Sequence, residues 1–482
     1  MRDGAKIRLG LTYDDVLLVP KYCDIGSRKE IDVGSKLSKN ISLNIPIVSA
    51  NMDTVTEARM AIAMASRGGI GIIHRFLTIE EEVAEVRRVK RSQNFIIDDP
   101  VTIAKEATLK EALELMKKNG VSGLLVCGST TLTTDAKKIE GILTSRDVRF
   151  KTDMTTSVEK IMTPRDRLIT AKRGISGEKA VALLDKYKIE KLPLIDSRDR
   201  ITGLITASDF KKFRENKMAA KDKDGQLLCG AAIGVRDGIL RGQALVEAGA
   251  DVLVIDIAHG HHKSCIELTK KLKKRFPGVD VVAGNVATRE GAEDLIAAGA
   301  DAVKVGIGPG AACSTRIVAG AGVPQFSAIL SIAPVARKRG VPIIADGGIR
   351  TSGDVAKAMA AGASSVMAGN LFAGSYESPG EYYIEDGSAF KVYRGLASRD
   401  ASIDRQLVEQ NKDRQDRAPE GVSFRVTYKG EVGKIVQNLI DGLQSGMSYT
   451  GAKNIKEFWR RAEFVRITEA GVKESFPRTN QI

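Results

Sequence analysis

Short apolar runs rich in β-branched residues recur along the chain, each ending in a glycine or polar residue and followed by a segment of helical periodicity. Eight stand out: IPIVSA from Ile45, GIGIIH from Gly69, CGAAIG from Cys229, DVLVID from Asp251, VDVVAG from Val279, DAVKVG from Asp301, VPIIAD from Val341 and SSVMAG from Ser364. Strand-like runs alternating with helical stretches predict βα units that build a parallel sheet. Eight is the number that closes a (β/α)8 TIM barrel, and such a barrel carries its chemistry on the loops after the carboxyl ends of its strands. That rule alone selects Asn51, Met52 and Asp53; His74; Asp256 with His259 and His261; Asn285; the loop Gly306 to Thr315; Asp346, Gly347 and Gly348; and Gly369 with Asn370.

The regular spacing breaks after the helical segment IEEEVAEVRRVKR and resumes only at Cys229. The α/β barrel is therefore expected in two parts, 1–92 and 224–482, with an inserted domain over 93–223. Within the insert, VTIAKEATLKEALELMKKNGVSGLLVCG leading to KIEGILTSRDVRF is echoed by LITAKRGISGEKAVALLDKYKIEKLPLIDS leading to RITGLITASDFKKF. Two copies of a short β-α-β-β-α pattern, over about 95–150 and 160–215, predict paired modules that depend on each other to close a core.

Composition narrows the function classes. A chain of 482 residues, 43% hydrophobic and 28% charged, buries a large core. Its formal charge of +14 raises the question of nucleic acid. The cations, however, lie on amphipathic segments such as ELTKKLKKRF and are interspersed with acids, which favours solvated helix faces and attraction of small anions. No run of about 18 apolar residues speaks for a membrane span, and the opening MRDGAKIRLGLTYDDVLLVP lacks the apolar stretch of a signal peptide. The five cysteines are scattered and odd in number, which suits a reducing, cytoplasmic compartment better than a disulfide framework.

The loop VGIGPGAACSTRIVAG concentrates the chemistry. Its glycines let backbone groups approach a ligand closely, and Cys313 then stands at the barrel mouth, where a thiol can attack an electrophilic ring carbon. Thr315 is placed to share a proton with it. Asp346, before two glycines at a strand end, can accept ribose hydroxyls while the glycine N–H groups face a phosphate. A helix cap is the alternative for Asp346, but Ser352 is better spaced for that role. The HGHH cluster at His259, His261 and His262 lacks a Cys or carboxylate at ligand spacing, which argues against zinc.

The segments GIGPGAACSTRIVAGAGVPQ, LTYDDVLLVP, SANMDTVTEARMAIAMASRGGIGIIH, IDIAHGH, AGNVAT, IADGGIRTSGD and YKGEVGKIVQNLIDGLQSGMSYTGA resemble the IMP dehydrogenase and GMP reductase family over nearly the whole chain. In that family a cysteine attacks C2 of a purine nucleotide, and a hydride passes between C2 and a nicotinamide. The resemblance implies Cys313 as nucleophile and Thr315 as proton-transfer partner, with Glu420 behind it. It implies Ser49, Met52, Asp346, Gly347, Gly348, Gly369, Asn370 and Tyr393 around the substrate IMP or GMP, and Asp256, Asn285 and Gly306 around NAD or NADP. Backbone carbonyls of Gly308, Gly310 and Cys313 resemble the family's potassium site. The endings GILTSRD and GLITASD resemble tandem CBS modules (a Bateman domain), which makes Thr144, Asp147, Thr206 and Asp209 contacts for a regulatory purine nucleotide. Helix capping by Asp147 and Asp209 is the competing reading. A homotetramer, alone or paired into an octamer, is also implied.

The likeness has gaps. Family dehydrogenases carry an Arg-Tyr pair on a flap, here about 394–428, whose Arg activates the hydrolytic water; Arg405 is retained, but Gln406 occupies the tyrosine position. Ala311 and Asn370 stand where serines are usual. Arg405, a flap of dehydrogenase-like length and HGH favour an IMP dehydrogenase acting in guanine nucleotide biosynthesis. Gln406, QFSA and YESPGE favour a GMP reductase of purine salvage. A catalytically inactive nucleotide sensor is the remote alternative.

Overall fold

The computed structural model describes residues 7–92, 96–97, 100–128, 138–175, 177–208, 218–401, 403 and 418–477. The chain divides into two compact units, Met1–Ser92 with Met218–Ile482, and Gln93–Lys217.

The larger unit is a closed barrel of parallel strands: β1 (Ile47–Ser49), β2 (Ile70–Ile73), β3 (Gly230–Ile233), β4 (Val252–Ile255), β5 (Asp280–Val286), β6 (Ala302–Val305), β7 (Ile343–Asp346) and β8 (Ser365–Ala368). Each pairs with its sequence neighbour, β8 pairs with β1, and β2 closes the ring onto β3. All eight apolar runs marked in the sequence supply these strands. Alternation along each strand separates two cores. Val48, Ile70, Ile72, Val252, Val254, Val282, Ala302, Ile344 and Met367 belong to one apolar cluster, which fills the barrel. Ile47, Ile73, Leu253, Ile255, Val281, Ala283, Val303, Val305, Ile343 and Val366 belong to a second, packed under the surrounding helices.

Those helices include α1 (Ala58–Ser66), α2 (Ile79–Arg91), α3 (Gly238–Glu247), α4 (Lys263–Arg275), α5 (Arg289–Ala297), α6 (Gln325–Lys338), α7 (Ser352–Ala360) and α8 (Val432–Tyr449). Helix α7 starts with a capping box in which Thr351 bonds the Asp354 N–H and the Asp354 carboxylate returns to Thr351. The cap is thus Thr351, and Ser352, favoured from spacing, is already the first helical residue. After β8 a three-stranded antiparallel sheet follows: β9 (Tyr383–Glu385), β10 (Ser388–Arg394) and β11 (Ser423–Thr427).

The smaller unit repeats strand, helix, strand, strand: Thr102–Ala104, Leu109–Asn119, Gly123–Cys127 and Ile139–Thr144, then Ala171–Lys172, Gly177–Lys186, Lys191–Ile195 and Ile201–Thr206. A helix over Ser145–Val148 follows the first copy. Each copy takes a strand from outside itself. Ile96–Ile97 pairs with Ile201–Thr206, and Thr163–Pro164 with Ile139–Thr144. The sequence boundary at 223 falls beyond this unit, because Lys221 and Asp222 already belong with the barrel. There Lys90 of α2 pairs with both Asp222 and Asp251, at 2.8 and 2.7 Å.

Candidate active site

The loops after the carboxyl ends of the barrel strands enclose an open cavity of about 1830 Å³. Its lining gathers most of the residues marked from the sequence: Met52, Asp256, Asn285, Gly306, Gly308, Gly310, Cys313, Thr315, Asp346, Gly347, Gly348, Gly369, Asn370, Tyr393 and Glu420.

Cys313 is exposed, and it precedes the short helix Thr315–Val318. Its Sγ donates to Thr315 Oγ1 at 3.2 Å, and Thr315 Oγ1 donates to Glu420 Oε2 at 2.7 Å. A carboxylate more than a hundred positions away in sequence is thereby joined to the thiol through one hydroxyl. Backbone pairing holds it there. The Ser314 N–H donates to the Glu420 carbonyl at 2.9 Å, and the Val422 N–H to the Ala312 carbonyl at 3.0 Å. Gly306 begins the loop at φ +150°, where an added Cβ would collide with the Asp346 carbonyl, so only glycine lets the loop pass this close to β7.

Asp346 ends β7 in a hydrogen-bond cluster. Its Oδ2 accepts from Lys304 Nζ at 2.7 Å and from Asn285 Nδ2 at 2.8 Å, and Asn285 Nδ2 also donates to the Gly306 carbonyl at 2.8 Å. The β5–β6 register shifts between Gly284 and Val286, so that Val286 rather than Asn285 faces Val305. A shift of this kind re-aims the side chain it skips. Asp256 is likewise engaged, its Oδ2 accepting from Arg75 Nε at 2.8 Å. Arg75 itself lies over the Phe76 ring, 5.4 Å from its centroid.

Gly369, Met52 and Tyr393 form one wall. A Cβ on Gly369 would approach Met52 Sδ and Tyr393 Oη to 2.9 Å, so the bare α-carbon is what allows the three to meet. Burial, together with the nearby Asp346 and Cys313, holds the Tyr393 phenol well above its ordinary pKa, hence as a neutral donor. Arg394, the next residue, donates from Nε to Asp53 Oδ2 at 2.8 Å and so ties β10 to the loop after β1.

Other marked residues lie elsewhere. Ser49 is fully buried on β1, where its Oγ accepts from Thr56 Oγ1 at 2.9 Å. Strand parity explains it, since Val48 and Ala50 belong to the interior cluster and the residue between them points the other way. His261 Nε2 pairs with Asp294 at 2.8 Å, and His262 caps α4. In the smaller unit, the Thr144 N–H and hydroxyl both donate to Asp147 Oδ2 at 2.7 Å, forming the capping box of Ser145–Val148; Thr206 Oγ1 lies 2.9 Å from Ser208 Oγ. Arg405, Gln406 and Asp209 lie outside the described residues.

The lining also includes Arg75, Tyr13 and Lys304, which strand ends and motifs alone do not single out. Arg75 and Tyr13 come from segments far from their neighbours in the site. The Tyr13 hydroxyl is buried and has no hydrogen-bond partner among the described residues. Lys304 did leave a signal, a lysine inside the otherwise apolar run DAVKVG.

Residues 10–478 match the family model described as IMP dehydrogenase / GMP reductase domain. The chain is 52% identical to inosine-5'-monophosphate dehydrogenase of Aquifex aeolicus, over 99% of this chain and 97% of the relative. It is 49% identical to the enzyme of the same name from Nitrosopumilus maritimus, over 97% and 98%. Among solved structures it is similar to a cysteine-to-alanine variant of GMP reductase from Trypanosoma brucei in complex with guanosine 5'-monophosphate. That likeness has a TM-score of 0.92 and 48% identity, with 100% of both chains covered.

Proposed function

The chain belongs to the IMP dehydrogenase / GMP reductase family, and from that premise we propose that it is an IMP dehydrogenase, oxidising IMP to XMP with NAD and water in guanine nucleotide biosynthesis. The observation that carries the reading is the relay from Cys313 through Thr315 to Glu420 at the mouth of the barrel. Passing the thiol proton to Thr315, as the Thr315 proton passes to Glu420, leaves a thiolate free to add to C2 of the purine. NAD, when bound, would supply the acceptor for the hydrogen at C2, taken as hydride. Water adds to C2, a base takes its proton, the C2–S bond breaks, and XMP leaves with the thiol restored. Arg405 is the base assigned to the water step.

Recognition falls to groups around that relay. Asp346 accepts ribose hydroxyls. Gly347 and Gly348 offer backbone N–H groups to the phosphate, and Met52, Gly369, Asn370 and Tyr393 line the same cavity and are assigned to the nucleotide. The donor set fits a dinucleotide at Asp256, whose Oδ1 is left to accept from a ribose hydroxyl while Arg75 holds Oδ2. Gly306 offers backbone nearby, and Asn285 serves that subsite through its hold on the Gly306 carbonyl. At Gly308, Gly310 and Cys313 the donors are neutral carbonyl oxygens, a set that suits potassium and not zinc. The Gly310 carbonyl, which accepts the Cys313 N–H at 3.0 Å, retains a second lone pair for the ion.

The inserted unit is read as a CBS pair binding regulatory purine nucleotides, with Thr144, Asp147, Thr206 and Asp209 as contacts. The capping box at Thr144 shares its carboxylate with that role. A homotetramer, alone or paired into octamers, and a cytoplasmic location complete the proposal; five free cysteines agree with a reducing compartment.

GMP reductase is the second reading, favoured by Gln406 in place of the flap tyrosine and by the likeness to the trypanosomal reductase. In that reaction Thr315 and Glu420 would protonate the departing ammonia. Following reduced cofactor by absorbance separates the two. Growth with IMP and NAD supports the dehydrogenase, decay with GMP and NADPH supports the reductase, and silence in both marks a nucleotide sensor.

A further inference from the structure

Lys304 is almost fully buried, 3% exposed, on β6. It shares strand parity with Ala302 of the interior cluster, so its side chain rises inside the barrel beneath the cavity. An ammonium withdrawn from water this far is retained only with a partner, and its ion pair among the described residues is with Asp346. Both of the donors described above act on one carboxylate oxygen: Lys304 from β6 and Asn285 from β5 converge on Oδ2 at 2.7 and 2.8 Å. Gln325 Nε2 steadies the backbone of the same residue, reaching the Asp346 carbonyl at 3.2 Å and the Val305 carbonyl at 2.8 Å. Two donors from adjacent strands on one oxygen fix the plane of the carboxylate. Oδ1 then has no hydrogen-bond partner among the described residues, on a side chain that lines the cavity and is 22% exposed.

We infer that Lys304 is a positioning residue for nucleotide recognition: by holding Oδ2 of Asp346 it aims Oδ1 at a ribose hydroxyl and so sets discrimination between ribonucleotide and deoxyribonucleotide. The inference rests on the reading of Asp346 as the ribose ligand and adds a residue to it. Removing the ammonium leaves Asn285 as the sole donor on Oδ2 among the described residues, and the carboxylate can turn to whichever orientation water favours. A sugar hydroxyl then meets an acceptor that is present but no longer aimed, and its contribution falls. An ion pair that merely braced β6 against β7 would weaken all nucleotides alike.

Calorimetric titration of the full-length chain with IMP, 2'-deoxy-IMP and 3'-deoxy-IMP, without dinucleotide, reads this directly and does not depend on which redox reaction the enzyme performs. The native chain is expected to prefer IMP over at least one deoxy analogue by about 100-fold. Lys304→Met should cut that ratio at least tenfold, and Lys304→Arg, which keeps a cation able to reach the carboxylate, should restore most of it. Lys304→Gln, with a neutral donor, serves if Lys304→Met does not fold, and the same tenfold loss is expected of it. A ratio within threefold of the native value in a folded Lys304→Met or Lys304→Gln chain would overturn the inference. Asp346→Asn separates the layers. If it too leaves the ratio unchanged, the ribose role of Asp346 fails and the inference falls with it; if it collapses the ratio while the Lys304 variants do not, only the role of Lys304 is lost.

Discussion

Cys313 differs from Cys127, Cys229 and Cys265 in being exposed, and burial pushes the thiols of those three up, that of Cys265 to about 11. The thiol proposed as nucleophile is therefore distinguished by its surroundings as much as by the loop that carries it. Cys313→Ala should abolish turnover and leave IMP affinity within a few-fold, because the proposal assigns recognition to Asp346 and the glycine backbone; titration of the variant beside its turnover assay checks both halves. Glu420→Gln keeps the shape of the relay and removes its proton acceptor, so turnover is expected to fall about 100-fold or more with little change in IMP binding, measured as a KM-against-kcat split. At this scale the sequence revealed residue types at strand ends well and orientations poorly. Ser49 could have been set aside on parity alone, one position from an interior valine. The occupation of Asn285 by Asp346 depends on a register shift, and the Arg75–Asp256 pair spans 181 positions; neither leaves a local trace.

Secondary-structure elements were the most legible part of the chain, for a physical reason. Strands buried on both faces are apolar at consecutive positions, so each barrel strand announces itself, and glycine or a polar residue marks its catalytic end. Periodicity does not mark the sheet β9–β11, since its strands are partly exposed and mix polar with apolar residues. Within that sheet Lys391 is buried, and its Nζ donates to the Ser378 carbonyl at 2.8 Å and to Ser378 Oγ at 3.0 Å. Burial, aided by repulsion from Arg59, lowers its pKa from 10.5 to about 8. The unfolded chain then binds more protons than the folded one between those two values, so stability contributed at Lys391 rises as pH increases from about 8 to 10.5. Melting temperatures of the native chain across that window should climb relative to those of Lys391→Met. Parallel curves would show that the lysine stays charged in the fold.

For the molecule as a whole, the two ends that flank the inserted unit are each tied to the barrel. The Ala220 N–H donates to the Ala65 carbonyl at 2.8 Å, and Lys90 bridges Asp222 and Asp251. Replacing residues 93–217 by a short linker should therefore give a folded barrel with near-native turnover. Extending the deletion to 223 removes Asp222, strips Lys90 of one of its two carboxylates and should lower the melting temperature further. Comparison of the two deletions by thermal melt and assay checks this. The repeat inside the insert was visible in sequence, whereas the exchange of strands Ile96–Ile97 and Thr163–Pro164 was not, because pairing between distant short strands is set by assembly and not by either segment. What the barrel does with IMP is tested most directly by rapid mixing of the full-length chain with excess IMP and NAD. A burst of one NADH per Cys313 is expected, since hydride transfer precedes hydrolysis, followed by slower turnover; in Arg405→Ala the burst should persist and the later phase disappear. No NADH from IMP, together with NADPH consumed in the presence of GMP, would contradict it.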